Sequence, residues 1–318
     1  MANKKIVCIG GGVGTSNLLK GLKDYPCDIT VIASMADEGG SAGRLRRLYD
    51  IFPPGDLVTC MAAMSKHKNA QLAKILMYRF PGDRFGPDES LSGHKLGNLI
   101  LVGASHVFED FDSAIEFFKE VFQVKGNFFP ATEVPIELSA LTREGKKVTG
   151  EHTIDFGKYR GKKEIERIFI NPSDPPVKKE VIRSIIKADI IVIGPGDLYT
   201  NNLPVVVVPK IAEAIRGSKA KKILVANIAN KPFETKDYSV ADYIEAFETH
   251  LLFLPLDTVF INNNLDVKIP KKFKYSLVKE NSLSVYKNLK IVRRDFVDEE
   301  MPLYHDSRKL AKAVFEAI

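Results

Sequence analysis

The chain has 318 residues, 45% hydrophobic and 27% charged, which excludes a disordered or low-complexity polypeptide and suits one large core or two coupled ones. Its 46 Lys and Arg against 40 Asp and Glu leave a net charge of +6. That excess permits anionic ligands but is too dilute over this length to argue for a nucleic-acid surface. The three cysteines, Cys8, Cys27 and Cys60, show no Cys-x-x-Cys spacing, so neither a disulfide framework nor a cysteine zinc site is expected. The first residues run into a strand without an apolar leader, and no apolar stretch nears the roughly 18 residues that span a bilayer. A cytoplasmic protein without a membrane span is expected; a homodimer is left open.

In chain order, Lys5–Ile9 is a short apolar run of the kind a strand buried on both faces shows. Gly10-Gly11-Gly12-Val13-Gly14 follows, then a helix opening at Thr15 or Ser16 with Leu18, Leu19 and Leu22 inward, then a second strand at Ile29–Ala33. Strand, helix, strand predicts a parallel sheet with helices on both faces. A glycine-rich turn over Asp37–Arg46 comes next, then the rigid turn Pro53-Pro54-Gly55-Asp56 before a helix at Leu57–Met64. Helical spacing recurs in Asn69–Arg79 and Ser113–Phe122, whereas residues 133–170 alternate and predict a β-rich excursion. Asp174-Pro175-Pro176 reads as a helix cap ahead of Val177–Ile186, leading to a strand at Ile190–Ile193 that ends in Gly194-Pro195-Gly196-Asp197. A helix at Lys210–Arg216, a strand at Ile223–Ala226, strand-like residues 264–290 and a last helix capped by Asp306, with Leu310, Ala313, Val314 and Ile318 on one face, complete the chain. The expectation is one elaborated doubly wound α/β domain over residues 1–318, mainly parallel, with a β-rich insertion at about residues 130–170.

In such a sheet ligands bind beyond the carboxyl ends of the strands, and four segments qualify. Gly11, Gly12, Gly14 and Thr15 can bring backbone N–H groups and a helix N-terminus to an anion. They lack the Gly-Lys-Ser/Thr of a P-loop, and Thr15 stands where a dinucleotide fingerprint has its third glycine. Gly39, Gly40, Ser41 and Gly43 form a backbone nest able to hold phosphate oxygens, with Arg44 beside them to grip a phosphate. Asp37, with Glu38, could hold a divalent metal such as Mg²⁺; Asp56 suits a structural cap and a metal or sugar ligand equally. His94 and Asn98 lie at a helix start, and Gly194, Gly196, Asp197, Thr200 and Asn227 follow strands. Each segment has a bland alternative: a tight turn, a solvated charge or a structural histidine. The set contains no nucleophile–base pair and suits a phosphorylated nucleotide better than acyl chemistry. The lysine pairs at 162–163, 178–179, 221–222 and 271–272 read as solvated faces.

Taken together, Ile9–Thr15, Asp37–Arg46, Pro53–Asp56, Tyr78-Arg79-Phe80, Gly93–Leu99, Gly150-Glu151, Ala188-Asp189, Gly194–Thr200, Glu234-Thr235 and His305-Asp306 carry a resemblance over nearly the whole chain. The sequence resembles the gluconeogenesis-factor family (YvcK-like), of the 2-phospho-L-lactate transferase (CofD-like) superfamily. The resemblance implies a Rossmann-like fold that binds a nucleotide sugar of the UDP-N-acetylglucosamine type. The implied role is regulatory, in carbon metabolism, cell shape and envelope synthesis, without an established reaction. The alternative it implies is a phosphotransferase that moves a phospholactyl group from a guanosine-diphosphate-linked donor to a deazaflavin with Mg²⁺. The Asp-x-Gly-Gly-Ser-x-Gly-Arg-Leu-Arg run from Asp37 to Arg46 favours the first branch, and the Ser-Pro-Asp-x-Asp run expected of the second is absent. Four departures stand out: Ala42 for a serine, Asp197 for the serine of Gly-Pro-Gly-Ser-Leu-Tyr-Thr, Tyr304 for an arginine, and Asn230-Lys231-Pro232-Phe233 for Thr-Gln-x-Gly.

Overall fold

The computed structural model describes residues 3–66, 70–159, 164–251, 255–281 and 283–317; Asn69, Lys162, Lys163 and Ile318 lie outside them. The first unit is β1 (Lys4–Ile9), α1 (Gly12–Leu22) and β2 (Cys27–Ala33). Helices α2 (Gly40–Tyr49), α3 (Gly55–Met64), α4 (Ala70–Leu76), α5 (Leu96–Phe108) and α6 (Phe111–Val121) precede β3 (Asn127–Pro130). Strands β4 (Glu137–Thr142), β5 (Lys147–Thr149) and β6 (Ile165–Asn171) form a separate antiparallel sheet, with the short helix α7 (Glu151–Asp155) inside it. The second half runs through α8 (Lys179–Ile186), β7 (Ile190–Ile193), α9 (Leu203–Val206), α10 (Pro209–Gly217) and β8 (Lys221–Val225). It ends with β9 (Ala229–Asn230), α11 (Val240–Leu251), β10 (Thr258–Asn262), β11 (Ser276–Leu277), β12 (Lys290–Arg294) and α12 (Ser307–Glu316).

The main sheet has seven strands in the order β12-β10-β8-β7-β1-β2-β3, and every pairing in it is parallel. The chain therefore starts in the middle, builds outward through β2 and β3, then returns to the other side of β1 and builds outward again. The direction of build reverses between β1 and β7, which is the switch point of a Rossmann-like doubly wound fold. Ile6–Ile9, Ile29–Ala33 apart from Thr30, and Ile190–Ile193 are apolar and buried, because helices cover both faces of a parallel sheet. Each fully buried aliphatic side chain contributes about 1.5–3 kcal/mol relative to exposure. No helix among the described residues is long and apolar enough to cross a membrane.

Several boundaries differ from the sequence reading. Helix α1 opens at Gly12 rather than at Thr15, because glycines at 10 and 12 with φ of +135° and +63° turn the chain at once. Residues from Gly40 onward, read as part of a turn, form α2. Asp174-Pro175-Pro176 caps nothing: α8 starts at Lys179 behind an extended Lys178, and the Pro176 carbonyl instead accepts a hydrogen bond from Glu133 N. Lys290 opens β12, and among the described residues of 264–289 only Ser276–Leu277 is a strand. Their partner β9 is two residues long, and most of their side chains are exposed, so no face is buried to extend the pairing. Asp306 caps α12 as expected, accepting from Arg308 N and Lys309 N at 2.9 and 2.7 Å.

Candidate functional site

A cavity of about 440 Å³ opens beyond the carboxyl ends of β1, β2, β7 and β8, at the switch point. Gly11, Gly12 and Gly14 follow β1, Ser34 and Asp37 follow β2, Gly196 and Asp197 follow β7, and Asn227 follows β8; all line it. The two halves touch closely. A Cβ on Gly14 would lie 2.4 Å from the Pro195 carbonyl oxygen, so only glycine lets α1 start against the β7 turn. Thr15, fully buried, fixes that contact by donating to Pro195 O at 3.3 Å.

The wall on the β1–β2 side combines helix starts, carboxylates and cations. Neither Gly11 nor Gly39, the residues before α1 and α2, offers a side-chain cap, and neither helix has an acidic residue in its first turn. Asp37 Oδ1 accepts from Gly39 N at 3.0 Å, and Asp56 accepts from Gly12 N and, at 2.7 Å, from Asn201 Nδ2. Burial and the neighbouring Asp56 push the Asp37 carboxyl up to about 7; burial raises that of Asp56, opposed by Lys95. Lys95 Nζ donates to Thr59 Oγ1 at 2.8 Å, and burial lowers its affinity for the proton. Arg79 donates to Gly93 O at 2.5 Å and to Ser41 Oγ at 3.1 Å. Arg84 is exposed, lines the cavity and lies 4.9 Å from the centre of the Phe85 ring. Its guanidinium rests against Gly40, where φ is +49° and a Cβ would come within 2.6 Å of Nε.

The opposite wall is acidic. Asp155 on α7 and Asp197 both accept from Lys231 Nζ, the second at 2.6 Å. Behind them Glu234 Oε1 accepts from Tyr199 N, Thr200 N and Thr200 Oγ1 at 2.6, 2.9 and 3.1 Å. Burial, then Asp197, pushes the Glu234 carboxyl up to about 8. Asn227 shapes the turn by exchanging hydrogen bonds with Gly196 N and O at 3.2 and 2.9 Å. The Glu151 carboxyl stands opposite Gly39 and is raised by burial and by Asp37.

Of the residues singled out in the sequence, Gly11, Gly12, Gly14, Asp37, Gly39, Gly40, Ser41, Asp56, Asn98, Gly196, Asp197, Thr200 and Asn227 line this cavity together. The structure places the rest outside the cavity lining. Arg44 is 1% exposed and points away into the 83–92 segment. Its guanidinium donates to Ser92 O at 2.8 Å, to Ser90 O, and at 3.4 Å to Asp83 O and Asp88 O. It straps the loop that carries Arg84. His94, 2% exposed, lies beneath that loop, where burial and the charges of Arg44 and Arg79 lower its proton affinity. Gly43 packs on the Glu38 backbone, where a Cβ would lie 1.8 Å from the carbonyl oxygen. Gly194, with φ of +78°, forms the β7 turn behind the cavity, and Thr15 serves the helix–turn contact.

The cavity also recruits Arg79, Arg84, Lys95, Glu151, Asp155 and Lys231. Three of these, Arg79, Lys95 and Glu151, stand inside segments that carried the family resemblance; Arg84 and Asp155 had no local signal. Buried, the side-chain oxygen of the cavity-lining Asn98 has no donor among the described residues.

Comparison with known proteins decides the family. The model described as 2-phospho-L-lactate transferase CofD matches residues 6–309. A gluconeogenesis factor of Halalkalibacterium halodurans is 35% identical over 323 residues, covering 99% of this chain and 97% of that protein. The chain belongs to the gluconeogenesis-factor branch of the CofD family. A second gluconeogenesis factor, from Bacillus subtilis, is 34% identical over 322 residues, covering 99% and 98%. A crystal structure of a UPF0052 family member from Bacillus halodurans matches with a TM-score of 0.88 at 35% identity, covering 99% of both chains. In this CofD-family chain, two of the departures from the resembled pattern, Asp197 and Lys231, turn out to be partners in one ion pair.

Proposed function

We propose that the cavity binds a phosphorylated nucleotide, a sugar nucleotide of the UDP-N-acetylglucosamine type, and that the protein acts as a regulator in carbon metabolism, cell shape and envelope synthesis. The observation that carries the reading is the meeting of two helix N-termini, α1 and α2, whose cap residues are glycines without a capping side chain, with Arg79, Arg84 and Lys95 at a single cavity. Helix N-termini favour an anion by about 0.3–1 kcal/mol each, and hydrogen bonds from charged donors add about 1.5–3 kcal/mol. The uridine base and the sugar are supported by the resemblance of the branch rather than by any contact. Arg84 meets the diphosphate from the loop, the turns at Gly11–Gly14 and Gly39–Ser41 present the backbone N–H groups that Asp56 and Asp37 do not take, and Asn98 offers its side-chain oxygen to a ligand donor.

A second reading, a transferase that moves a phosphate-linked group from a guanosine diphosphate donor to a deazaflavin, is favoured by one feature. Asp56 sits near enough to Asp37 to disfavour its ionisation, and a divalent cation relieves such a pair. These residues fit Mg²⁺, which would supply charge neutralisation at the phosphates. Calorimetry with UDP-N-acetylglucosamine, GDP and GTP, each with and without Mg²⁺, separates the readings. Metal-independent binding of the uridine sugar without turnover is the expected result. Mg²⁺-dependent guanine-nucleotide release in the presence of a deazaflavin acceptor would sink it.

A further inference from the structure

We propose that Lys231 is a specificity-determining residue: a tethered cation that serves the acidic wall in place of a divalent ion and makes that wall the seat of the uncharged, hydroxyl-bearing part of the ligand. Asp155, Asp197 and Glu234 each bring a carboxylate oxygen within 4.8 Å of the other two, a spacing at which a hard cation can bridge oxygens. The Lys231 ammonium is already there, donating to Asp155 Oδ1 and, at 2.6 Å, to Asp197 Oδ2. Its side chain is only 18% exposed, and its backbone is pinned by Lys231 N donating to Thr235 Oγ1 at 3.1 Å. The third carboxylate is satisfied from behind, since Glu234 Oε1 takes the Tyr199 and Thr200 donors.

A wall built this way has consequences for what it touches. A phosphate brought against Asp155 and Asp197 would meet carboxylate oxygens whose ion-pair partner, Lys231, is engaged by both. A hydroxyl or amide can instead donate to their remaining lone pairs. The phosphates therefore belong across the cavity, by α1, α2 and Arg84, and the sugar belongs beside Lys231. This placement rests on the nucleotide-sugar reading above; the cation claim does not.

Paramagnetic resonance titration with Mn²⁺, without nucleotide, tests the cation claim. Lys231→Met should bind one more Mn²⁺ than the wild type, and adding Asp197→Ser should abolish the extra site; equal stoichiometry in wild type and Lys231→Met overturns the claim. Calorimetry in chelator with UDP and with UDP-N-acetylglucosamine tests the placement. Lys231→Met should weaken the sugar nucleotide about tenfold more than UDP, the worth of one charge-assisted contact. Equal losses would put Lys231 on the phosphates and overturn the placement. Wild-type protein that binds neither nucleotide overturns the ligand reading and the placement with it, while the Mn²⁺ count still decides the cation claim. If Lys231→Met does not fold, the charge-matched pair Lys231→Gln with Asp197→Ser takes its place. That pair should retain metal-free binding of UDP-N-acetylglucosamine; a requirement for Mn²⁺ there would count against the proposal.

Discussion

The two walls of the cavity solve opposite electrostatic problems. On the β1–β2 side, helix starts and three basic side chains gather, and the carboxylates of Asp37 and Asp56 are held by backbone and amide N–H groups. On the β7–β8 side, carboxylates dominate and one lysine serves two of them. The first wall is prepared for charge brought by a ligand; the second has its counter-charge supplied from within. The difference also separates two arginines of similar promise. Arg44 belongs to the glycine-rich run but is consumed by four carbonyls, whereas Arg84, on the loop Arg44 holds, remains exposed at the cavity.

The largest effect should come from breaking the strap under the first wall. Arg44→Ala empties a buried side-chain site and takes the donor from four carbonyls, and should cost about 3 kcal/mol in urea unfolding. Unchanged stability with lost ligand binding would return Arg44 to the site. Next, Arg84→Ala should reduce affinity for UDP-N-acetylglucosamine about tenfold while the melting temperature stays put, because the side chain is exposed. A drop in melting temperature without a change in affinity would make Arg84 a structural part of the loop. The smallest effect is a pH dependence. With Asp37 at about 7 in the folded protein and 3.8 ordinarily, the native state keeps a proton that the unfolded chain has released between those values. Stability from this group therefore falls as pH rises from about 4 to about 7. Asp37→Asn should raise the melting temperature slightly at pH 8, with the gain shrinking toward pH 4. A pH-independent difference would show that the burial of Asp37 is not what raises it.

Much of the fold was legible because its signals are local. Apolar runs at Lys5–Ile9 and Ile190–Ile193 can only be buried strands when a glycine turn and an amphipathic stretch follow them, and Asp306 needs only its own next residues to cap α12. The reading failed where a competing local cue was stronger than the global one. Three glycines made residues 37–46 look like a loop, yet helix α2 starts at Gly40, and prolines at 175–176 suggested a cap where the chain is tied to Glu133 instead. Side-chain direction was the hidden variable for the site: Arg44 stands one helical turn along α2 from Gly40, yet its long side chain runs to the carbonyls of residues 83–92 instead of the cavity.

The sequence by itself determined that a strand–glycine–helix unit recurs in both halves of the chain, and that the strand ends carry the glycines and carboxylates. Those facts follow from periodicity and turn chemistry within a few residues. Only the tertiary structure decided that β1 and β7 are neighbours, that α7 and Lys231 complete one wall, and that Arg84 rather than Arg44 reaches the cavity. Such pairings join residues tens to hundreds of positions apart, and they are fixed by how helices and loops pack on the sheet, which no local pattern encodes.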